Sequence, residues 1–149
     1  MELLEIKMEK HKLSRFLPHN EILNYIMTLD ENYDGIATFF IHNADDYGVY
    51  LIILLDEIAR RKNTSFWYSQ LGDLCLVDLA YVNGARFSAL FYFIKALELN
   101  SKNTLLLNAI LECGEPPEVV LTIERRKYYA NKLLALEPEN ERALAIINL

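Results

Sequence analysis

The 149-residue chain has little of what breaks helices, 5 glycines and 4 prolines, and little of what binds metals, 2 cysteines and 3 histidines. With so little glycine and proline, no linker or low-complexity stretch divides it, and it reads as a single domain over 1–149. A zinc site needs about four ligands, often in closely spaced pairs. Cys75 and Cys113 instead stand far apart, each in an apolar context, and read as buried thiols. No pair of histidines at i, i+4 accompanies a glutamate, and neither a phosphate-cradling glycine loop nor a Gly-x-Ser-x-Gly elbow occurs. His42 precedes Asp45 and Asp46, a grouping that suggests a metal cluster but that a helix start with acidic capping residues explains without one. The expectation is a protein without catalytic residues, cofactor or metal.

Two further absences concern solvent and charge. The longest apolar stretch, Val49 to Leu55, is far short of the roughly 20 residues that span a bilayer. Met1 to Lys10 alternates charged with apolar residues and lacks the apolar core of a signal peptide, so no membrane and a cytoplasmic location are expected. The 15 Lys and Arg are outnumbered by 21 Asp and Glu, which argues against nucleic acid, because neutralising phosphates needs clustered cations.

What is present is apolar and helical in period. Hydrophobic residues make up 52% of the chain, enough to offset the entropy of ordering and to exclude disorder. Leu3, Ile6, Leu13 and Leu17 share one stripe, and Asn20 can cap a short helix carrying Ile22, Leu23, Ile26 and Met27. A short helix is expected around Ile36 to Phe40, and another from Asp45 to about Lys62, whose apolar middle suggests a central buried helix. Thr64 or Ser65 caps the next, ending at Asn83 and Gly84, a pair suited to the left-handed position. Helices follow from about Arg86 to Leu99, Asn103 to Cys113, Pro116 or Pro117 to Leu136, and from near Pro138. The expected architecture is all-α, with about eight or nine helices: acidic N-terminal helices over 1–63, then helix pairs over 64–149.

Two segments within the second part are alike. Each has aromatic residues, a lysine, Leu-rich positions, a polar turn and then a new helix, first from Phe91 to Asn103 and again from Tyr128 to Asn140. Matching Asn103 to Asn140 gives a period of 37, within the range of helical solenoids, in which stacking buries the face that one helix pair leaves open. The first copy carries Ala89, Phe93 and Ala96 in its second helix, with Gly84 at the preceding turn. Trp67, Leu71 and Gly72 form an opening group, and Pro138 closes the second copy, where Arg126 and Leu133 replace small residues.

On these residues, over about 66–149, the chain resembles the tetratricopeptide repeat, a helix-turn-helix of about 34 residues. The opening group stands some residues earlier than in that family. The resemblance implies a right-handed superhelix whose first helices line a concave groove binding a protein or peptide. Carried over, the groove positions are Leu71, Leu74, Asp78 and Tyr81, then Leu105, Asn108 and Glu112, with Arg142 on the last helix. Tyr81 and Asn108 would offer aromatic surface and hydrogen bonds, and Asp78 with Glu112 would favour a basic partner. A bundle of the same helices is the plainer alternative.

Charge supplies a second candidate surface. Residues 16–59 contain eight carboxylates and no Lys or Arg, a charge of −8, so the formal net charge of −6 belongs to one region. Asp30, Glu31, Asp34, Asp45 and Asp46, with Tyr33 and Tyr47, form either a solvated acidic face or a docking surface for a basic protein. The expected function is a non-catalytic interaction module. The alternative is a small acidic inhibitor, such as a bacterial immunity protein that covers the active site of a basic toxin enzyme.

Overall fold

The computed structural model describes residues 19–31 and 35–149. Among them every regular element is helical: α1 (His19–Met27), α2 (Gly35–Lys62), α3 (Ser65–Asp73, continued by a π turn over Leu74–Asp78), α4 (Ala85–Leu99), α5 (Thr104–Glu112), α6 (Ile123–Leu134) and α7 (Glu141–Ile147). The stripe from Leu3 to Leu17 lies outside the described residues. From α2 onward each helix packs chiefly on its neighbours in the chain, and α1 rests lightly on α2. His19 pins it there, its Nδ1 3.1 Å from the Tyr50 hydroxyl and its Nε2 2.9 Å from Glu57.

Local chemistry sets most helix ends. The side chains of Asn103 and Asn140 accept from the Leu106 and Ala143 amides at 3.2 and 3.0 Å, each satisfying an amide that has no partner inside its helix. Each such cap is worth roughly 1 kcal/mol. The two asparagines matched by the 37-residue period are thus the same device used twice. The equivalence extends along α4 and α6. Lys95 stands over Phe91 and Lys132 over Tyr128, while Phe91 with Tyr92 and Tyr128 with Tyr129 form edge-on pairs with centroids 5.2 and 5.1 Å apart.

Several boundaries differ from the sequence expectation. The expected short helix and the expected helix from Asp45 run on as α2, two helical stretches that meet at a kink where Tyr47 leaves helical geometry (φ −134°, ψ 18°), just past the expected boundary. Asp45 and Asp46 stand immediately before this kink. Leu51, Leu54 and Leu55 are buried, but Val49 and Ile53 face solvent, so the apolar stretch is not central on every side. Thr64 precedes α3 without capping it, because its hydroxyl donates to Glu31 at 2.6 Å. Gly84 is left-handed as expected (φ 82°), yet it opens α4; the preceding helix has already ended in the π turn, where the Leu79 amide reaches Leu74 O at 2.9 Å. Pro116 and Pro117 do not start a helix. The chain after them returns to the core, with the Val120 amide bonded to Cys113 O at 3.0 Å and Leu121 buried, and α6 begins only after Thr122 caps it. The last helix starts at Glu141, after the Asn140 cap.

Two buried clusters fill the molecule. The first joins α1, α2 and the front of α3 through Ile22, Leu23, Leu54, Ile58, Trp67 and Leu71. The second joins the π turn to α7 through Cys75, Phe93, Leu107, Leu111, Leu133 and Ile146. Ile52, Tyr68 and Tyr92 touch both clusters, so the two form one connected interior. Gly72 marks a close approach of α3 to α4. A methyl group built there would lie 2.5 Å from ring atoms of Phe93, so only glycine lets α3 and α4 meet at this distance.

Candidate functional site

The groove positions carried over from the repeat divide into core and surface. Leu71 and Leu74 are buried, serving the interior rather than a groove. Tyr81 is 65% exposed in the turn before α4 and Asp78 is half-buried at the end of the π turn. Leu105, Asn108 and Glu112 fall on one face of α5 by their spacing of three and four. Leu105 is 79% exposed and Glu112 is exposed, while Asn108 is half-buried and donates its side-chain amide to Thr104 O at 2.9 Å. Arg142 is a tie between helices, pairing with Glu115 at 3.3 Å and donating to Asn108 O at 3.3 Å. Its Nε and Nη1 are thus engaged within the fold, although the residue is exposed.

The acidic region is likewise divided. Asp30 and Glu31 follow α1, Glu31 as acceptor of the Thr64 hydroxyl. Asp45 and Asp46 are exposed on α2 just before its bend. Asp34 and Tyr33 lie outside the described residues, as does the His42 side chain. Among the described residues no group of three or more His, Cys, Asp and Glu is placed to hold a metal ion.

Electrostatics link the two expected surfaces. Partial burial, then the charge of Asp45, raises the Asp78 carboxyl above its ordinary value. Burial, then the charges of Asp78 and Glu112, pushes Asp73 up to about 6. Asp45 on α2, Asp78 and Asp73 on α3 and Glu112 on α5 are therefore near enough for their charges to act on one another, from Asp45 on Asp78 and from Asp78 and Glu112 on Asp73; we term these four the carboxylate row. The π turn makes the middle of this row. Its i to i+5 hydrogen bond brings residues five apart, Asp73 and Asp78, toward one side of the helix, where a regular α-helix would separate them. Asp73 is the member sequence reasoning missed, since regular helical periodicity gives no reason to group it with Asp78. Exposed Val77 and Tyr81 lie beside the row on α3 and in the turn after it, and Leu105 shares the Glu112 face.

This arrangement carries a pH signature. A carboxyl whose folded value lies above its unfolded value of 3.8 holds its proton more tightly in the folded chain, so its contribution to stability falls as pH rises from about 4 to about 6. Asp73 is itself exposed to solvent, which screens the effect and reduces its size but not its sign. The expected result is that Asp73→Asn gains stability relative to the parent between pH 4 and pH 7 in urea titrations. A constant difference across that range would remove the carboxylate row from the account.

Both thiols sit apart from this surface, buried in the second cluster, where burial raises Cys75 to about 11 and Cys113 to about 12. A nucleophilic cysteine needs a lowered value, and these have the reverse. Among the described residues no helix is long and apolar enough to cross a membrane. Compared with protein-family models, with curated proteins and with solved structures, the chain matches none.

Proposed function

We propose that this protein is a non-catalytic interaction module of the cytoplasm, a superhelix of the tetratricopeptide kind over its second half, which binds a basic protein segment. The observation that carries the reading is the carboxylate row Asp45, Asp78, Asp73 and Glu112, accompanied by exposed Val77, Tyr81 and Leu105. Such a surface offers counter-charges to lysine and arginine and apolar contact between them, the combination that gives orientation together with affinity. The paired caps at Asn103 and Asn140, the matched cation and aromatic pairs, and the packing of each helix on its chain neighbours support the repeat architecture. Tyr81 and Asp78 stay in the proposed surface. Asn108 contributes less than a free side chain would, and Arg142 acts as a support.

The test is binding of a short fluorescent peptide alternating lysine with leucine, read by anisotropy. Asp78→Lys combined with Glu112→Lys should weaken it by about tenfold or more, and raising the salt concentration should do the same. Unchanged affinity in the double variant would refute the surface. A second reading, an acidic inhibitor that covers a basic enzyme, is favoured by the exposure of Asp45 and Asp46 next to one another on α2. It requires charge reversal at those two residues to outweigh substitution of Tyr81 and Asp78.

A further inference from the structure

Away from the acidic row the surface has the opposite character. Helix α6 carries Arg125, Arg126, Lys127 and Lys132 against the single carboxylate Glu124. Arg125, Tyr128 and Lys132 share one face by their spacing of three and four, and Tyr128 is 55% exposed. Between this face and α4 lies a cleft of about 230 Å³, walled by Ile94, Leu97, Tyr128 and Tyr129 and edged by Lys132. Its one carboxylate, Glu98, is paired with Lys95 at 3.1 Å. Among the described residues neither Arg125 nor Lys132 has an ion-pair partner, and the Lys132 ammonium instead stands over the Tyr128 ring at 4.8 Å. The cleft therefore suits an apolar side chain flanked by carboxylates.

The chain presents that complement on another face. Leu105 is the most exposed large apolar side chain among the described residues, Glu112 on the same helix face supplies a carboxylate, and Asp73 lies within reach of the Glu112 charge. We propose that the cleft between α4 and α6 receives the Leu105 face of a second copy of this chain. The proposal rests on the reading of the acidic row as a binding surface and names its partner. The cleft uses α4 and α6 whereas the acidic face uses α3 and α5, so one copy can engage both at once. Contacts between two different patches either close as a pair about a two-fold axis, each copy using both patches, or extend head to tail. The net charge of −6 opposes approach at long range, but at about 0.15 M salt its reach shrinks to roughly 8 Å, leaving the pairs in contact to decide.

Sedimentation of the full chain at about 0.15 M salt should show a mass average that rises with concentration above that of one chain. Leu105→Ser should weaken association about tenfold or more, as should the pair Arg125→Glu and Lys132→Glu. All three side chains are exposed, and circular dichroism checks that each variant is folded. The decisive arm mixes two variants. A chain with Arg125→Glu and Lys132→Glu keeps only its acidic face, and one with Glu112→Lys and Leu105→Ser keeps only its cleft; each alone should be monomeric, and together they should form a dimer that stops at two. Association that survives these variants, or a mixture that stays monomeric, overturns the proposal. A chain that is monomeric at every concentration yet binds the lysine and leucine peptide overturns self-association while leaving the proposed function standing. Failure of both overturns both.

Discussion

Truncating Phe93 to alanine is expected to cost about 3–5 kcal/mol, a large fraction of the roughly 5–15 kcal/mol that holds a domain of this size together. The ring is fully buried at the centre of the second cluster, and its removal leaves a cavity that helices fixed by their own turns cannot close. The surroundings of the ring predict a further, sharper result. Because a methyl group on Gly72 would stand 2.5 Å from two ring carbons, Gly72→Ala alone should cost about 1–3 kcal/mol through overpacking. In the Phe93→Ala background the same methyl enters the vacated space, and alanine is the better helix former by up to about 1 kcal/mol. Gly72→Ala should then be neutral or stabilising. Urea unfolding of the four proteins of this cycle gives the coupling directly, and additive losses would show that α3 and α4 do not meet as described.

Trp67 is expected to behave differently according to what replaces it. It is fully buried in the first cluster, set edge-on against Phe66 with ring centroids 5.2 Å apart. Trp67→Ala should cost about 3–5 kcal/mol, like other deletions of a large buried ring. Its indole N–H, however, is buried without an acceptor. A buried donor left unpaired forfeits about 1–3 kcal/mol of hydration, so Trp67→Phe removes that penalty while giving up part of the apolar contact. Phenylalanine should therefore cost less than half of what alanine costs. Equal losses in thermal and urea melts would mean that the N–H finds a partner, most simply a bound water.

The parts of the fold that could be read from the sequence are those written within a few residues. Asn103 and Asn140 cap the helices that follow them because a side-chain oxygen three residues ahead of a free amide needs no other help. The lysines one turn beyond Phe91 and Tyr128 follow the same local logic. What was not legible depends on distant partners. The Thr64 hydroxyl is taken by Glu31 rather than by an amide of α3, and Arg142 is held by Glu115 and the Asn108 carbonyl. Pro116 and Pro117 are compatible with a first helical turn. Their segment is instead drawn inward by the burial of Leu121, which no local pattern announces. The candidate site was legible as a groove holding Asp78 and Glu112 and a separate acidic face; the π turn that turns Asp73 toward Asp78 was not, because it is a choice among backbone hydrogen bonds rather than a periodicity of side chains.

The preference of each helix for its neighbours in the chain has a kinetic consequence. Contacts of this kind close short loops, so little chain entropy is lost before burial begins, and folding belongs to the fast regime of local topologies. Ile52, Tyr68 and Tyr92, shared between the two buried clusters, then determine how strongly order in one half recruits the other.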